Sequence, residues 1–280
     1  MFYEVRDITL DYSKIDAPDT GYVPKLKVFV PNTESEVSKF TPNRPTVLVI
    51  PGGGYGFVSE REAEPIALRF VARGMNACVL YYSVAPAVFP VSLLEALTAV
   101  KYIRDNAEKY NADKDKIYVC GFSAGGHLAA SVGTLWNKKE SREYFGNTDC
   151  VRPNGLILSY PVIINDGPCH RGSFDNLLGD RRNDEQMLEY VCLDKQVSGL
   201  TPPTFLWSTF EDTLVPCEST LRFASALRAN GVPFELHIYE KGWHGMSTGD
   251  LVTNECVVRL KNWLDEACDW VLDTRSAYMN

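Results

Sequence analysis

Short apolar runs alternate with stretches of helical periodicity along most of the chain. Seven runs predict strands, and the central ones are almost continuously apolar, as strands covered on both faces must be. They lie at residues 26–30, 46–50, 76–81, 116–120, 155–160, 204–208 and 234–239. We therefore expect a sheet whose middle strands are buried on both faces.

Helical patterns fill the intervals between these strands. In residues 92–110, apolar side chains recur three and four positions apart and form one stripe. Similar patterns predict helices at 65–73, 127–132, 218–230 and 257–271. Strands that alternate with helices favour right-handed crossovers, which give an α/β fold with a mostly parallel sheet and helices on both faces. We expect one domain over residues 1–280.

One polar segment interrupts this alternation, at about residues 165–200. It is rich in glycine, proline and charged residues around a short apolar pattern at Met187, Leu188 and Val191. The segment is too short and too poor in apolar residues for a second domain. We interpret it as a small cap-like excursion above the sheet.

Net charge and cysteine spacing limit which binding partners and which cellular compartment we expect. The net charge is −8 and basic residues are scattered, which disfavours nucleic acid as a partner. No stretch approaches 18 consecutive apolar residues, and the N-terminus lacks the apolar core of a signal peptide, so we expect no membrane span. The eight cysteines include no CxxC pair and no zinc-finger spacing, which predicts no metal site and favours reduced thiols in a cytoplasm.

The sharpest chemical signal is Gly-Phe-Ser-Ala-Gly at residues 121–125, directly after one predicted strand and at the start of a helix. Glycines at both ends of a G-x-S-x-G motif allow a turn too tight for larger side chains. Such a turn lifts the serine hydroxyl out at the carboxyl end of the sheet, beside a helix N-terminus. The context favours Ser123 as a nucleophile over a merely glycine-rich turn.

A serine nucleophile needs a base, and the chain has four histidines. His127 lies within the helix that follows Ser123, where packing is the simpler role, and His237 alternates within a strand. His170 belongs to the polar excursion and could touch substrate. His244 occupies a glycine-flanked loop just past the last predicted strand, at the same sheet edge as Ser123, so we predict that it is the base.

The third member of a triad should follow Ser123 and precede His244, at the carboxyl end of a strand. Glu211 and Asp212 follow the strand at 204–208. We favour Asp212, because a short side chain on a loop suits the role of orienting an imidazole. Glu211 is the runner-up.

Donors for a developing oxyanion are expected at a second glycine-rich loop. Pro-Gly-Gly-Gly-Tyr-Gly at residues 51–56 follows the strand at 46–50, where α/β-hydrolases place the first half of an oxyanion hole. We predict the backbone amides of Gly53 or Gly54, together with that of Ala124, as donors. A dinucleotide loop fails on glycine spacing, since Phe57 or Ser59 stands where its last glycine is needed, and no Walker lysine follows.

Taken together, these motifs resemble the hormone-sensitive-lipase-like branch of the α/β-hydrolases. The segments at residues 53–56, 61–65, 82–86 and 201–207 more narrowly resemble bacterial acetyl esterases linked to xylan and oligosaccharide breakdown. The resemblance covers residues 25–264. It implies an α/β-hydrolase fold and deacetylation of sugar esters through an acyl-enzyme, without metal or organic cofactor. One departure is Pro51, which stands where the lipase branch commonly has histidine, so which glycine amide completes the hole stays open.

Two aromatic residues are candidates for substrate contacts. Tyr55 lies in the glycine-rich loop at residues 51–56, which we call the oxyanion loop, and Trp243 directly precedes His244. We therefore expect both to line the pocket for a small-molecule or oligosaccharide ester, with Trp243 stacking on a sugar face. Packing in the core is the alternative for each.

Two other functions and the oligomeric state stay open from the sequence. A peptidase of the prolyl-oligopeptidase type shares the fold and the triad order, but 280 residues leave no room for its usual additional domain. A non-catalytic α/β-hydrolase used for binding typically loses the serine or the histidine, and both are present here. The terminal pattern with Trp263 and Trp270 could bury its face against a second copy, giving a homo-oligomer, as easily as against its own sheet.

Overall fold

One eight-stranded sheet organises the part of the chain that the computed structural model describes, namely residues 1–31, 43–253 and 256–273. The strands are Phe2–Asp7 (β1), Lys25–Val30 (β2), Arg44–Ile50 (β3), Asn76–Tyr81 (β4), Ala112–Phe122 (β5), Gly155–Ser159 (β6), Thr204–Thr209 (β7) and Phe234–Tyr239 (β8). Their order across the sheet is β1-β2-β4-β3-β5-β6-β7-β8. Strand β2 is antiparallel to both of its neighbours, and every other pairing is parallel.

Eight α-helices accompany the sheet in the described residues. They are Glu64–Ala72 (α1), Val91–Asp105 (α2), Ala124–Leu135 (α3), Lys139–Phe145 (α4), Arg171–Leu178 (α5), Glu185–Tyr190 (α6), Glu218–Ala229 (α7) and Trp263–Asp273 (α8).

The core has two layers, one on each face of the sheet. Successive residues of β3 show this: Leu48 belongs to the layer that contains α2, α3 and α7, whereas Val47 and Val49 belong to the layer that contains α1 and α8. Alternate side chains of a strand point to opposite faces, so a strand covered on both sides must be apolar throughout. The predicted mostly parallel sheet with helices on both faces is confirmed. The single domain over residues 1–280 stays a prediction.

Helix α8 buries its apolar side against the chain's own sheet. Trp263 is fully buried and lies 5.0 Å, ring to ring, from Trp207 of β7, and Trp270 contacts the ring of Tyr118 edge-on. Of the two partners left open for this face, the structure supplies the sheet. The helix begins later than its predicted start at residue 257, because Leu260–Asn262 form a 3₁₀ turn before it.

The excursion at residues 165–200 is more structured than its composition indicates. It contains α5 and α6, and α5 buries Phe174, Leu177 and Leu178 in the core layer that holds α2 and α3. The apolar pattern at residues 187–191 marked only α6. Strand β1 and helix α4 had no predicted counterpart either: β1 is an exposed edge strand, and α4 has a single buried residue, Ser141.

Candidate active site

The predicted chemical residues meet at one edge of the sheet. Strands β3, β5, β7 and β8 run parallel, so their carboxyl ends lie together. The oxyanion loop follows β3, Ser123 follows β5, Asp212 follows β7 and His244 follows β8. In open parallel sheets this edge is where ligands commonly bind.

Ser123 occupies a sharp turn between β5 and α3. Its backbone has φ +54° and ψ −119°, a conformation that costs a non-glycine residue on the order of 1–3 kcal/mol. The flanking glycine is needed because a Cβ on Gly125 would lie 2.3 Å from the carbonyl oxygens of Ile50 and Pro51. The turn therefore stores strain at the point where the hydroxyl emerges above the N-terminus of α3.

A continuous chain of hydrogen bonds joins the three predicted triad residues. The Nε2 atom of His244 lies 2.8 Å from Ser123 Oγ, and its Nδ1 atom lies 2.7 Å from Asp212 Oδ2. A carboxylate only accepts, so Nδ1 carries the proton, and in a neutral imidazole Nε2 is then the acceptor for the serine hydroxyl. The Asp212 side chain is fully buried, and its other oxygen accepts from the amides of Leu214 and Val215.

Glu211, the runner-up for the third position, points elsewhere. Its carboxylate accepts from Lys241 Nζ at 2.6 Å and from the Gly242 amide at 3.2 Å, and these bonds lower its pKa. The choice between the two neighbouring acids is thus resolved geometrically: Asp212 contacts the imidazole, and Glu211 lies on the surface.

The oxyanion loop is held in a tight fold that leaves particular amides unengaged. The Gly56 amide donates to Gly53 O, and the Gly52 amide donates to the Glu62 carboxylate. Among the described residues, no protein acceptor pairs with the amides of Gly53, Gly54 or Ala124. These are the three amides predicted as oxyanion donors.

Pro51, the departure from the lipase branch, has a partner of its own. Its carbonyl oxygen accepts a hydrogen bond of 2.9 Å from the buried Tyr82 hydroxyl. Tyr82 therefore anchors the start of the oxyanion loop.

Tyr55 does not wall the pocket, and this prediction is corrected. Its ring is 2% exposed, and its hydroxyl lies 2.8 Å from His127 Nδ1. The Nε2 atom of His127 lies 2.9 Å from the Val191 carbonyl, which can only accept, so Nδ1 must accept from Tyr55. Burial lowers the pKa of His127 to about 4. Both rings are neutral core groups, in agreement with the packing role expected for His127.

Trp243 remains accessible beside the base. It is 42% exposed, and the guanidinium of Arg61 lies 5.5 Å from the centre of its ring. His237 lies in β8, where its Nε2 atom is 2.8 Å from Glu235 Oε1 and its ring packs against those of Phe205 and Tyr239.

The cap-like excursion at residues 165–200 places two side chains beside the oxyanion loop: Asn176, which the sequence did not indicate, and His170, which was only a candidate for contact with substrate. Asn176 of α5 donates to Gly54 O at 2.9 Å. The Cε1 atom of His170 lies 3.6 Å from where a Cβ on Gly54 would be, and its Nδ1 is 2.8 Å from Ser173 Oγ. Burial, and next the nearby His244, lower the pKa of His170. No spacing rule relates these residues to Ser123, because the excursion's path over the sheet is set only by tertiary packing.

A metal site and a membrane-spanning helix are both absent from the described residues. No group of three His, Cys, Asp or Glu side chains within the described ranges is arranged to hold a metal ion. None of the helices described is long and apolar enough to cross a membrane.

Two curated proteins that are similar to the chain are named for action on xylan. It is 40% identical over 236 residues to endo-1,4-beta-xylanase B of Butyrivibrio fibrisolvens, covering 82% of this chain and 36% of that protein. It is 29% identical to the acetylxylan esterase of Xylanibacter ruminicola, covering 80% of this chain and 47% of that protein. The chain thus spans between a third and a half of the length of these relatives.

Solved structures match over nearly the whole length. The acetyl ester-xyloside bifunctional hydrolase of Caldicellulosiruptor lactoaceticus superposes with a TM-score of 0.81 at 35% identity, covering 95% of this chain and 94% of that one. The carboxylesterase Cest-2923 of Lactobacillus plantarum has the same TM-score at 24% identity, over 98% of each chain, which supports the fold alone. The profile of the BD-FAE family matches residues 35–227. The resemblance to α/β-hydrolases and to acetyl esterases is confirmed: the chain has the α/β-hydrolase fold and belongs to the BD-FAE family.

Proposed function

We propose that this chain is a serine carboxylesterase that removes short acyl groups, above all acetyl, from sugar esters such as acetylated xylo-oligosaccharides. The observation that carries the proposal is the hydrogen-bonded chain from Ser123 through His244 to Asp212 at the carboxyl edge of the sheet. It is the arrangement needed for nucleophilic attack on an ester carbonyl.

In the proposed reaction, Ser123 Oγ attacks the ester carbonyl while His244 Nε2 takes its proton. Asp212 accepts from Nδ1–H, which holds the imidazole in this tautomer and stabilises its charged form. The amides of Gly53, Gly54 and Ala124 receive the oxyanion, and each such donor is worth about 3–4 kcal/mol in the transition state. His244 then gives its proton to the departing alcohol, and water repeats the sequence on the acyl-enzyme.

The substrate class is supported by the relatives and by the surroundings of the base. One relative is an acetylxylan esterase, and one structural neighbour is an acetyl ester-xyloside hydrolase. Trp243 offers an exposed aromatic ring next to His244, where a sugar face can stack. The net charge of −8 suits a neutral ester, which needs no electrostatic steering. All eight cysteines are free thiols, which fits our proposal of a cytoplasmic enzyme.

The test compares wild type and Ser123→Ala on acetylated xylo-oligosaccharides and on aryl acetates, with release of acetate as the readout. We expect activity on both substrates in the wild type and its loss in the variant. Aryl butyrates and longer esters, run in parallel, should turn over more slowly than the acetate. Faster turnover of the longer chains would contradict the short-acyl assignment.

A fluorophosphonate label separates the alternatives of other classes. Covalent modification of Ser123 is expected for any serine hydrolase of this fold, including a peptidase, and a non-catalytic binding protein would remain unmodified. Release of acetate together with failure to cleave proline-containing peptides would then distinguish an esterase from the peptidase.

A further inference from the structure

Glu62 is a buried glutamate directly beneath the oxyanion loop. It closes the 3₁₀ turn Glu60–Glu62 before α1 and is 2% exposed. Its Oε2 atom accepts from the Gly52 amide at 2.9 Å, and its Oε1 atom accepts from the Tyr160 hydroxyl at 2.7 Å. No salt bridge to Glu62 occurs in the described residues. A buried carboxyl without a cation is costly, so its two hydrogen bonds are what stabilise it here.

Tyr160 links Glu62 to the loop that holds His244. Its hydroxyl oxygen accepts from the Ser247 amide at 3.0 Å, three residues beyond His244. Its ring lies 5.1 Å from the imidazole of His244 and meets it edge-on. Burial, and next the Glu62 carboxylate, raise the pKa of the Tyr160 phenol, which keeps it a hydrogen donor toward Glu62.

The residue before Glu62 makes a second connection to the same loop. Ser247 Oγ donates to the carbonyl oxygen of Arg61 at 2.6 Å, and the guanidinium of Arg61 lies over the ring of Trp243. Residues 61–62 therefore contact the oxyanion loop on one side and the loop that holds His244 on the other.

The surroundings of Gly52 show how close the Glu62 carboxylate lies to the nucleophile. A Cβ on Gly52 would lie 2.8 Å from Glu62 Oε2 and 2.9 Å from Ser123 Cβ. The carboxylate and the nucleophile thus pack against the same backbone atom. A shift of about 1 Å in catalytic groups can cost a factor of about 100 in rate, so the position of this carboxylate bears directly on the geometry of the hole.

We propose that Glu62 is a positioning residue, which fixes the oxyanion glycines and His244 relative to Ser123 through the path Gly52–Glu62–Tyr160–Ser247. This inference rests on the proposed esterase function. It predicts a loss that falls on turnover, because the path aligns groups that act in the transition state.

The experiment measures kcat and KM for an aryl acetate in Glu62→Gln, Tyr160→Phe and the double variant, with Tm recorded for each. We expect kcat to fall about 10- to 100-fold with KM changed less than threefold. Tyr160→Phe keeps the ring against His244 and removes only the hydroxyl. Because both residues act on one path, the double variant should lose no more than the worse single variant.

Glu95→Gln is the matched control. Glu95 is a second fully buried glutamate, but its oxygens accept from the amide and hydroxyl of Ser83 rather than from either catalytic loop. We expect its kcat to stay within threefold of wild type.

Three results would overturn the inference while Ser123-dependent activity stands: a kcat within threefold of wild type in both Glu62→Gln and Tyr160→Phe, an equal loss in Glu95→Gln, or multiplicative losses in the double variant. Should Glu62→Gln fail to fold, Tyr160→Phe decides alone. Wild-type protein that releases no acetate and takes no fluorophosphonate label would instead refute the proposed function itself.

Discussion

Asp212→Asn separates the two jobs of the buried aspartate. One oxygen, Oδ1, accepts from the Leu214 and Val215 amides at 3.0 and 2.9 Å, and the other accepts from His244 Nδ1. In the variant, the two amides require an acceptor, so the asparagine oxygen must face them and its NH₂ group must face the imidazole. The NH₂ then donates to Nδ1, which drives the proton to Nε2, opposite Ser123.

The expected cost follows from that tautomer. An Nε2–H group cannot accept the serine proton, and the same substitution in a serine triad costs about 10⁴-fold in kcat, or about 5.5 kcal/mol. Stability should change little, because both backbone bonds survive. Asp212→Ala, by contrast, leaves the buried Val215 amide without an acceptor, and we expect it to lose about 1–3 kcal/mol of unfolding free energy as well.

The assay is hydrolysis of an aryl acetate, with urea unfolding of each variant in parallel. Glu211→Gln is the control, since that neighbouring acid pairs with Lys241 and Gly242 outside the triad, and its kcat should stay within threefold of wild type. An Asp212→Asn enzyme that kept a tenth of its activity, or a Glu211→Gln enzyme that lost as much as Asp212→Asn, would refute this assignment.

Three further variants test other parts of the molecule. Burial raises the pKa of Glu95 from 4.5 to about 7, so its contribution to stability is present below about pH 4.5 and lost as the pH rises through 7. Between pH 5 and 8, the unfolding free energy of Glu95→Gln should therefore decline by up to about 3 kcal/mol less than that of wild type. Equal declines in variant and wild type would contradict the raised pKa of Glu95. Trp243→Ala should raise KM for acetylated oligosaccharides more than for a small aryl acetate, and equal effects would rule out stacking. Asn176→Ala removes one hydrogen bond to Gly54 O, worth about 1 kcal/mol. We expect Tm to fall by only about 2–4 °C and kcat/KM to fall roughly fivefold through misplacement of the loop; no fall in kcat/KM would show that the loop holds its shape without this contact.

Local patterns predicted the sheet because its inner strands are apolar on both faces. Strand β4 and strand β8 begin and end at the predicted residues. Chain order and strand ends pointed to Ser123, Asp212 and His244, and the structure brings these three side chains into hydrogen-bonding contact. Edge strand β1 left no such pattern: Phe2, Tyr3 and most of its other residues are exposed.

The failures concern residues whose role depends on distant neighbours. Tyr55 stands in the oxyanion loop, yet its ring turns inward because His127, 72 positions along the chain, supplies an acceptor in the core. Glu62 and Tyr160 are 98 positions apart, and neither carries a local signal for their contact. The direction of a side chain in a loop is set by such distant partners, and the hydrophobic periodicity of the sequence does not reveal them.

The cap-like excursion is where this chain departs from a bare α/β-hydrolase edge, and its contacts bear on substrate choice. Its helix α5 is tied to the core through Phe174 and to the oxyanion loop through Asn176. His170 lies over Gly54, and burial, followed by the nearby His244, lowers its pKa. In the proposed reaction, the triad and the amides act on any accessible ester carbonyl, whereas His170 and Asn176 lie against Gly54 of the oxyanion loop. We therefore expect differences in acyl or sugar preference among similar chains to lie in residues 165–200 rather than in the triad.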